Sequence, residues 1–337
     1  MKLVTYSVGS ERYRLGALRQ DGSTVLDLAT AARQMSNSQP DCLCSMQALI
    51  ESGEQGLDTA RELLQSDSDA VVDIDKIILH APLPRPVSVR DCLGFSGHFI
   101  NMVRHVVAGG RLKRLDELLQ KTTGKTLAHR MSPGAWQRPL YYFASTALVG
   151  HGAEIEIPAY SQLMDYELEW AACIGKKGKN LKADRASESI FGYTIFNDFT
   201  ARDTQMFDMK TRFGVQKSKS FDGSNVMGPC LVTRDEIPDP YNLSMWANVN
   251  GIEWSRGSTA QQDWSFEEMI EYLSSSETLE PGEMICSGTV PTGSAREMGR
   301  EIVAGDTIEL NVQGIGTLTN TLVAPMSYQP LPVWQKA

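Results

Sequence analysis

The stretch "DYELEW", residues 165–170, constrains the fold more than any other in this chain: Asp165, Glu167 and Glu169 alternate strictly with Tyr166, Leu168 and Trp170. A period of two is the signature of a β-strand, which puts the three carboxylates on one face and the three apolar side chains on the other. Anions that close together repel, and burying them raises their pKa values unless a cation compensates. Taken alone, the segment fits either a half-exposed strand with its acidic face in water or a buried strand that needs a positive partner.

The rest of the chain supplies the context. "KLVTYSV", "YRLGALRQ" and "DGSTVLDL" near the start read as strands with a turn. "DLATAARQM" and "SMQALIESGEQGLDTARELLQ" carry the apolar spacing of short helices. "HAPLPRPVSVRD" then brings Pro82, Pro84 and Pro86 together, the composition of a linker or extended crossing. This predicts a small N-terminal domain over 1–85 and a larger one over 86–337. In the second part "GHFINMVRHVVAGG" reads as a helix stopped by paired glycines, and "RLKRLDELLQK" as another. Short β-rich runs dominate from about Tyr141 onward, with "SFEEMIEYLSSS" as the clear helix among them. The expected fold class is therefore α+β, mainly β, of mixed topology.

At 337 residues, with 42% hydrophobic and 22% charged residues, the chain can bury a substantial core. A formal net charge of −9 argues against a nucleic-acid-binding surface. The start, "MKLVTYSVGS", lacks the features of a secretory signal, and no apolar run is long enough to span a bilayer, so a cytoplasmic protein is expected. Cys42, Cys44, Cys92, Cys173, Cys230 and Cys286 are scattered apart from one C-x-C, and reduced thiols are the expectation.

Other acids can join the alternating strand. Asp198 in "FNDFTARD" sits where a strand gives way to a loop, and Asp91 in "RDCLGFSGH" precedes His98 by seven positions. Hard divalent cations favour several oxygen ligands, and Asp91, Glu167, Glu169 and Asp198 would supply them. From about Asp91 to Val323 the chain resembles the fumarylacetoacetate hydrolase family. The resemblance is carried by "DYELEWAACIGKKGKNL", "SIFGYTIFNDFTARDTQ", "KSFDGSNVMGP", "VNG", "LEPGEMICSGT" and "AGDTIELNVQGIGTLTN", in that order. It implies a mixed β-roll catalytic domain, a homodimer, and a divalent metal, Mg²⁺ first with Mn²⁺ or Ca²⁺ as alternatives. The implied ligands are Glu167, Glu169 and Asp198, with Asp91 as the further one, while Asp165 is expected to be structural.

The resemblance also implies a chemistry: hydrolysis of a C–C bond in a 1,3-diketone or 2,4-dioxo acid, with aromatic catabolism as the setting. His98 would activate water, oriented by Glu297 in "GSAREM", with Glu301 as competitor. Arg202, Gln205 and Lys219 resemble the oxyanion and substrate-positioning groups, and Thr289 the substrate-contacting threonine. Arg202 as an ordinary ion-pair partner and Thr289 as a turn residue are the plainer readings. Two departures stand out. Leu93 replaces the tyrosine expected two places after Asp91, and Ser145 stands near a position where many relatives carry lysine. Residues 111–138 have no counterpart and are expected to form a lid or pocket wall. The competing functions are decarboxylation or tautomerisation of a 2-oxo acid, and a metal-stabilised binding protein without turnover.

Overall fold

The computed structural model describes residues 1–36, 38–107 and 113–333. Two sheets dominate. The larger has eleven strands and reads, from one edge, Val71–Asp73, Thr24–Asp27, Arg14–Leu18, Lys2–Ser7, Asn225–Thr233, Ile190–Asp198, Leu168–Ile174, Met284–Cys286, Val89–Cys92 and Tyr141–Phe143, with Ile78–Leu79 also paired to Lys2–Ser7. Most neighbours are antiparallel, but Val89–Cys92 runs parallel to Met284–Cys286. The smaller sheet orders Ile252–Ser258, Ser244–Val249, Thr307–Val312, Gly316–Val323 and Glu154–Glu156. The architecture is the α+β, mainly β class that the strand-rich pattern predicts.

The N-terminal part and the remainder share the larger sheet, because Leu3 pairs antiparallel with Leu231. They also share a core: Leu3, Leu26, Leu49 and Ile50 pack in one apolar cluster with Ala171, Phe196 and Leu231. The second cluster fills the space between the sheets around Trp170, which is fully buried and stacks on Tyr193 at 5.2 Å between centroids. The strands form where they do because β-branched and aromatic residues fit a pleated surface covered on both faces. "IFGYTIFND" is buried at every position.

The helix expected over "GHFINMVRHVVAGG" occupies Ser96–Met102 and continues as a π-helical turn over Val103–Val107. Its glycine stop, Gly109–Gly110, lies outside the described residues. The second expected helix covers Lys113–Thr123. It and the short helix Leu127–Met131 are tied together by Asp116, which is buried, accepts the Leu127 N–H and meets Arg104 Nε at 2.5 Å. Trp136 of the same segment lies 6.0 Å from Phe99 between ring centroids, so this segment packs against the helix that carries His98. Among the described residues no helix is long and apolar enough to cross a membrane.

Candidate active site

Three strands of the large sheet bring acids together from distant parts of the chain. Glu169 lies on Leu168–Ile174 opposite Phe196, and Asp198 ends the adjacent strand opposite Asn225. Asp91 stands on Val89–Cys92, across the short Met284–Cys286 strand. One carboxylate oxygen from each of Asp91, Glu169 and Asp198 lies within 4.8 Å of the others, and all three residues are buried. The alternation of "DYELEW" is preserved but its strand is interrupted. Met164–Asp165 pairs with Thr200–Ala201, and regular pairing resumes at Leu168. In the gap the Glu167 N–H donates to the Asn197 side chain at 3.1 Å, a side-chain substitute for a ladder bond.

Both faces of that stretch are interior: Tyr166, Leu168 and Trp170 on one side, and Asp165, Glu167 and Glu169 on the other. The acids are therefore held by specific partners. Glu169 accepts the Gly288 N–H at 3.0 Å and the Thr289 hydroxyl at 3.1 Å. Gly288 has φ +79, and a Cβ there would meet the Cys92 carbonyl oxygen at 2.2 Å, so only glycine brings this N–H to Glu169. Asp198 accepts from Asn225 Nδ2 at 2.8 Å, from the Tyr142 hydroxyl at 2.5 Å and from the Lys219 ammonium. Glu167 stands apart from the triple. Its oxygens face Lys219 Nζ at 2.5 Å and Arg202 Nη2 at 2.8 Å.

The electrostatics divide the same way. Burial, reinforced by the neighbouring carboxylates, raises Glu169 well above the ordinary range. Burial likewise raises Asp91, despite the opposing Lys219 charge, and pushes Asp198 up to about 8. For Glu167 burial acts upward too, but Lys219, Arg202 and His98 outweigh it and hold the group low. Asp91 Oδ1 is buried without a hydrogen-bond partner. An orphaned carboxylate oxygen facing two more carboxylates, in an all-oxygen donor set, fits a hard divalent cation.

Beside the acids stands His98, whose Nδ1 lies 2.8 Å from Glu297 Oε2 while Nε2 looks toward Glu167 Oε1 at 3.7 Å. Burial lowers the imidazole pKa, but the Glu297 charge and hydrogen bond win and leave it raised. It is Glu297 that meets His98; Glu301 pairs with Arg296 at 2.9 Å on the exposed surface. Arg202 and Gln205 lie on a helix, Arg202–Lys210, where the sequence shows no apolar stripe. Arg202 is buried between acids, with Nε 2.8 Å from Asp165 Oδ2 and Nη1 2.9 Å from Gln205 Oε1. Lys219 is buried and Lys217 exposed.

Asp165 is structural, as expected, while Tyr142 and Asn101 went unread in the sequence. Asp165 accepts the Ala295 N–H at 2.8 Å, and so anchors the turn that presents Glu297. Tyr142 is the register partner of Asp91 and donates its hydroxyl to Asp198. Ser145 instead donates its N–H to Asn225 Oδ1 at 3.0 Å. Asn101 donates to Glu297 Oε1 at 3.0 Å. Leu93 hydrogen-bonds through its backbone N–H to the Leu140 carbonyl. A pairing register is a property of the folded sheet, and no local pattern announces it.

The fumarylacetoacetate (FAA) hydrolase C-terminal family matches residues 106–323. The chain belongs to this family. An oxaloacetate tautomerase of Xenopus laevis, a mitochondrial protein, is 30% identical over 325 residues, which is 96% of this chain and 90% of that protein. The solved structure of the fumarylacetoacetate hydrolase from psychrophilic Exiguobacterium antarcticum is similar with a TM-score of 0.69 at 26% identity, covering 96% of this chain and 100% of that one. Maleylpyruvate hydrolase from Sphingobium sp. SYK-6, in complex with manganese(II) and pyruvate, shares the fold with a TM-score of 0.69 at 22% identity, covering 97% of this chain and 100% of that one. These relatives include an oxaloacetate tautomerase and a fumarylacetoacetate hydrolase, so this fumarylacetoacetate hydrolase family member is an enzyme of small-molecule chemistry whose reaction the family alone leaves open.

Proposed function

We propose that this protein is a divalent-metal-dependent hydrolase that cleaves a C–C bond in a 2,4-dioxo acid or related 1,3-diketone. The observation that carries the reading is the buried His98–Glu297 pair beside three clustered carboxylates. Asp91, Glu169 and Asp198 would hold the metal, Mg²⁺ or Mn²⁺, with Glu167 alongside. Such an ion supplies a positive centre for the substrate's oxygens and for the negative charge that develops on them.

The residues do the rest. Glu297 keeps the proton on His98 Nδ1, so the Nε2 lone pair faces the acids and can take a proton from water. The water oxygen bonds to the distal carbonyl carbon, and the C–C bond breaks with its electron pair on the departing enolate. Lys219, close to Glu167 and Asp198, is the proton donor that returns the enolate carbon to neutrality. Arg202 holds Glu167 and Asp165 in place and leaves oxyanion contact to Gln205 and Lys219. Thr289, bonded to Glu169, is within reach of the same space and is read as a substrate contact.

A second reading has one specific support, the oxaloacetate tautomerase that is similar over almost the whole chain. The same base would then take the enol O–H proton while Lys219 delivers one to the carbon beside the forming 2-oxo group, and no bond between carbons would break. An ultraviolet assay over acylpyruvates and enol-oxaloacetate, with product analysis and with or without chelator, separates the two. Hydrolysis releases pyruvate and a free acid in equal amounts, abolished by chelator and by His98→Asn. Loss of enol absorbance with no new acid refutes the hydrolase and supports the tautomerase.

A further inference from the structure

Glu297 is more heavily tethered than a simple histidine partner requires. Its Oε2 faces His98 Nδ1 at 2.8 Å and accepts the Ser294 hydroxyl at 3.2 Å. Its Oε1 accepts the Thr292 N–H and Asn101 Nδ2, each at 3.0 Å. Three of these four donors are fixed by sequence neighbourhood or by the dyad itself. Asn101 is different, since it arrives from the helix Ser96–Met102 and has no part in the dyad. His98 and Asn101 are three positions apart on that helix and therefore share a face. They grip the two oxygens of one buried carboxylate separately.

We infer that Asn101 is a positioning residue for the dyad, holding the carboxylate of Glu297 in the one rotation that keeps Oε2 on His98 Nδ1. The inference rests on His98 acting as the base. With the amide donor gone, Oε1 keeps only a backbone donor, and the carboxylate gains freedom to rotate about its last bond. His98 then loses the single acceptor that fixes its proton on Nδ1, and a fraction of the rings carry it on Nε2, the nitrogen that must be free. Among the described residues the Asn101 side chain hydrogen-bonds to Glu297 and not to Asp91, Glu167, Glu169 or Asp198, so the loss is expected in turnover and not in metal affinity.

The test is Asn101→Ala, Asn101→Asp and each combined with Glu297→Gln, assayed with whichever of acylpyruvate or enol-oxaloacetate the parent consumes. Asn101→Ala lowers kcat about tenfold to a hundredfold, the loss expected for a hydrogen bond to a charged group, with KM within about twofold. Asn101→Asp sets a like charge against Glu297 and is slower still. In the Glu297→Gln background, Asn101→Ala adds less than about twofold, because a residue acting through Glu297 has nothing left to act on. The ¹⁵N spectrum of the metal-free protein shows the His98 Nδ1–H tautomer depleted in Asn101→Ala, with the signal assigned by His98→Asn. Parent-like kcat in Asn101→Ala, multiplying effects in the double variant, or an unchanged tautomer overturns the inference. Full turnover in His98→Asn and Glu297→Gln is a different failure, that of the reading of the site, and takes the inference with it.

Discussion

Asp165→Asn separates the three acids of the alternating strand by what they hold. Asp165 is fully buried, and its partners are Arg202, with Nε at 2.8 Å and Nη2 at 2.7 Å, and the Ala295 N–H at 2.8 Å. Burial raises the Asp165 pKa more than Arg202 lowers it, while the same acids raise Arg202 far above its ordinary value. A guanidinium does not release its proton, so Arg202 carries a buried charge that Asp165 and Glu167 must satisfy. The substitution leaves Arg202 with Glu167 as its remaining carboxylate and turns one acceptor oxygen into an NH₂ that confronts another donor. Breaking a buried pair costs about 3–5 kcal/mol, and an orphaned buried donor about 1–3. These effects overlap, and Glu167 compensates part of the first, so about 4 kcal/mol is the expected loss. Unfolding entropy of about 2 cal/mol/K per residue over 337 residues turns that into a melting point lower by about 5–6 °C. Calorimetric titration with Mn²⁺ should give an affinity within about threefold of the parent, because Asp165 lies outside the acid triple. Turnover should fall, since the Ala295 anchor of the Glu297 turn is weakened. An unchanged melting point, or a variant that melts like the parent yet no longer binds metal, refutes the assignment of Asp165 to Arg202 and the turn.

Glu169→Gln and Asp198→Asn should each weaken metal binding about a hundredfold or more in the same titration while circular dichroism stays native; unaltered affinity in either removes it from the ligand set. Because burial and crowding raise Glu169 and hold Asp198 up to about 8, metal must displace protons, so apparent affinity should climb from pH 6 toward pH 8 and then level. An affinity flat over that range contradicts a protonated cluster. Tyr142→Phe deletes a donor to Asp198 and should cost about tenfold in metal affinity, with no loss counting against its role in orienting that acid. Far from the site, burial pushes Asp27 up, but bonds from the Tyr6 hydroxyl and the Thr30 N–H, each 2.7 Å, together with Arg14, bring it below the ordinary value. A depressed carboxylate stabilises the fold above the unfolded pKa of about 3.9, and that contribution is lost as pH falls through the folded value. Asp27→Asn should therefore lower stability at pH 7 and flatten its decline below pH 4; an acid limb as steep as the parent's contradicts this.

How much of the site is legible depends on whether a residue's partner is near in sequence. The strand periods, the glycine turns and the acidic alternation are local, and they lead to the class of fold and to Glu169 as a candidate, whereas Asp198 gained its place through the family resemblance. The alternation alone treats Asp165, Glu167 and Glu169 as equals, yet each meets a different partner. Asp165 faces Arg202 because Met164–Asp165 pairs with Thr200–Ala201, next to the start of the Arg202 helix. Glu167, in the gap before pairing resumes at Leu168, is joined to Asp198 through Lys219, which reaches both. Only Glu169, one step further into the sheet, is left to Gly288, Thr289 and the other acids. The Arg202–Lys210 helix was unreadable for a related reason: Met206, Phe207 and Met209 are exposed, while Arg202, Thr204 and Asp208 are its buried residues. Hydrophobic periodicity finds helices that bury an apolar stripe, and this one buries charge instead. Its inward face is specified by the acids it serves, which lie on strands remote in sequence, so the pattern becomes visible only once the sheet has assembled around it.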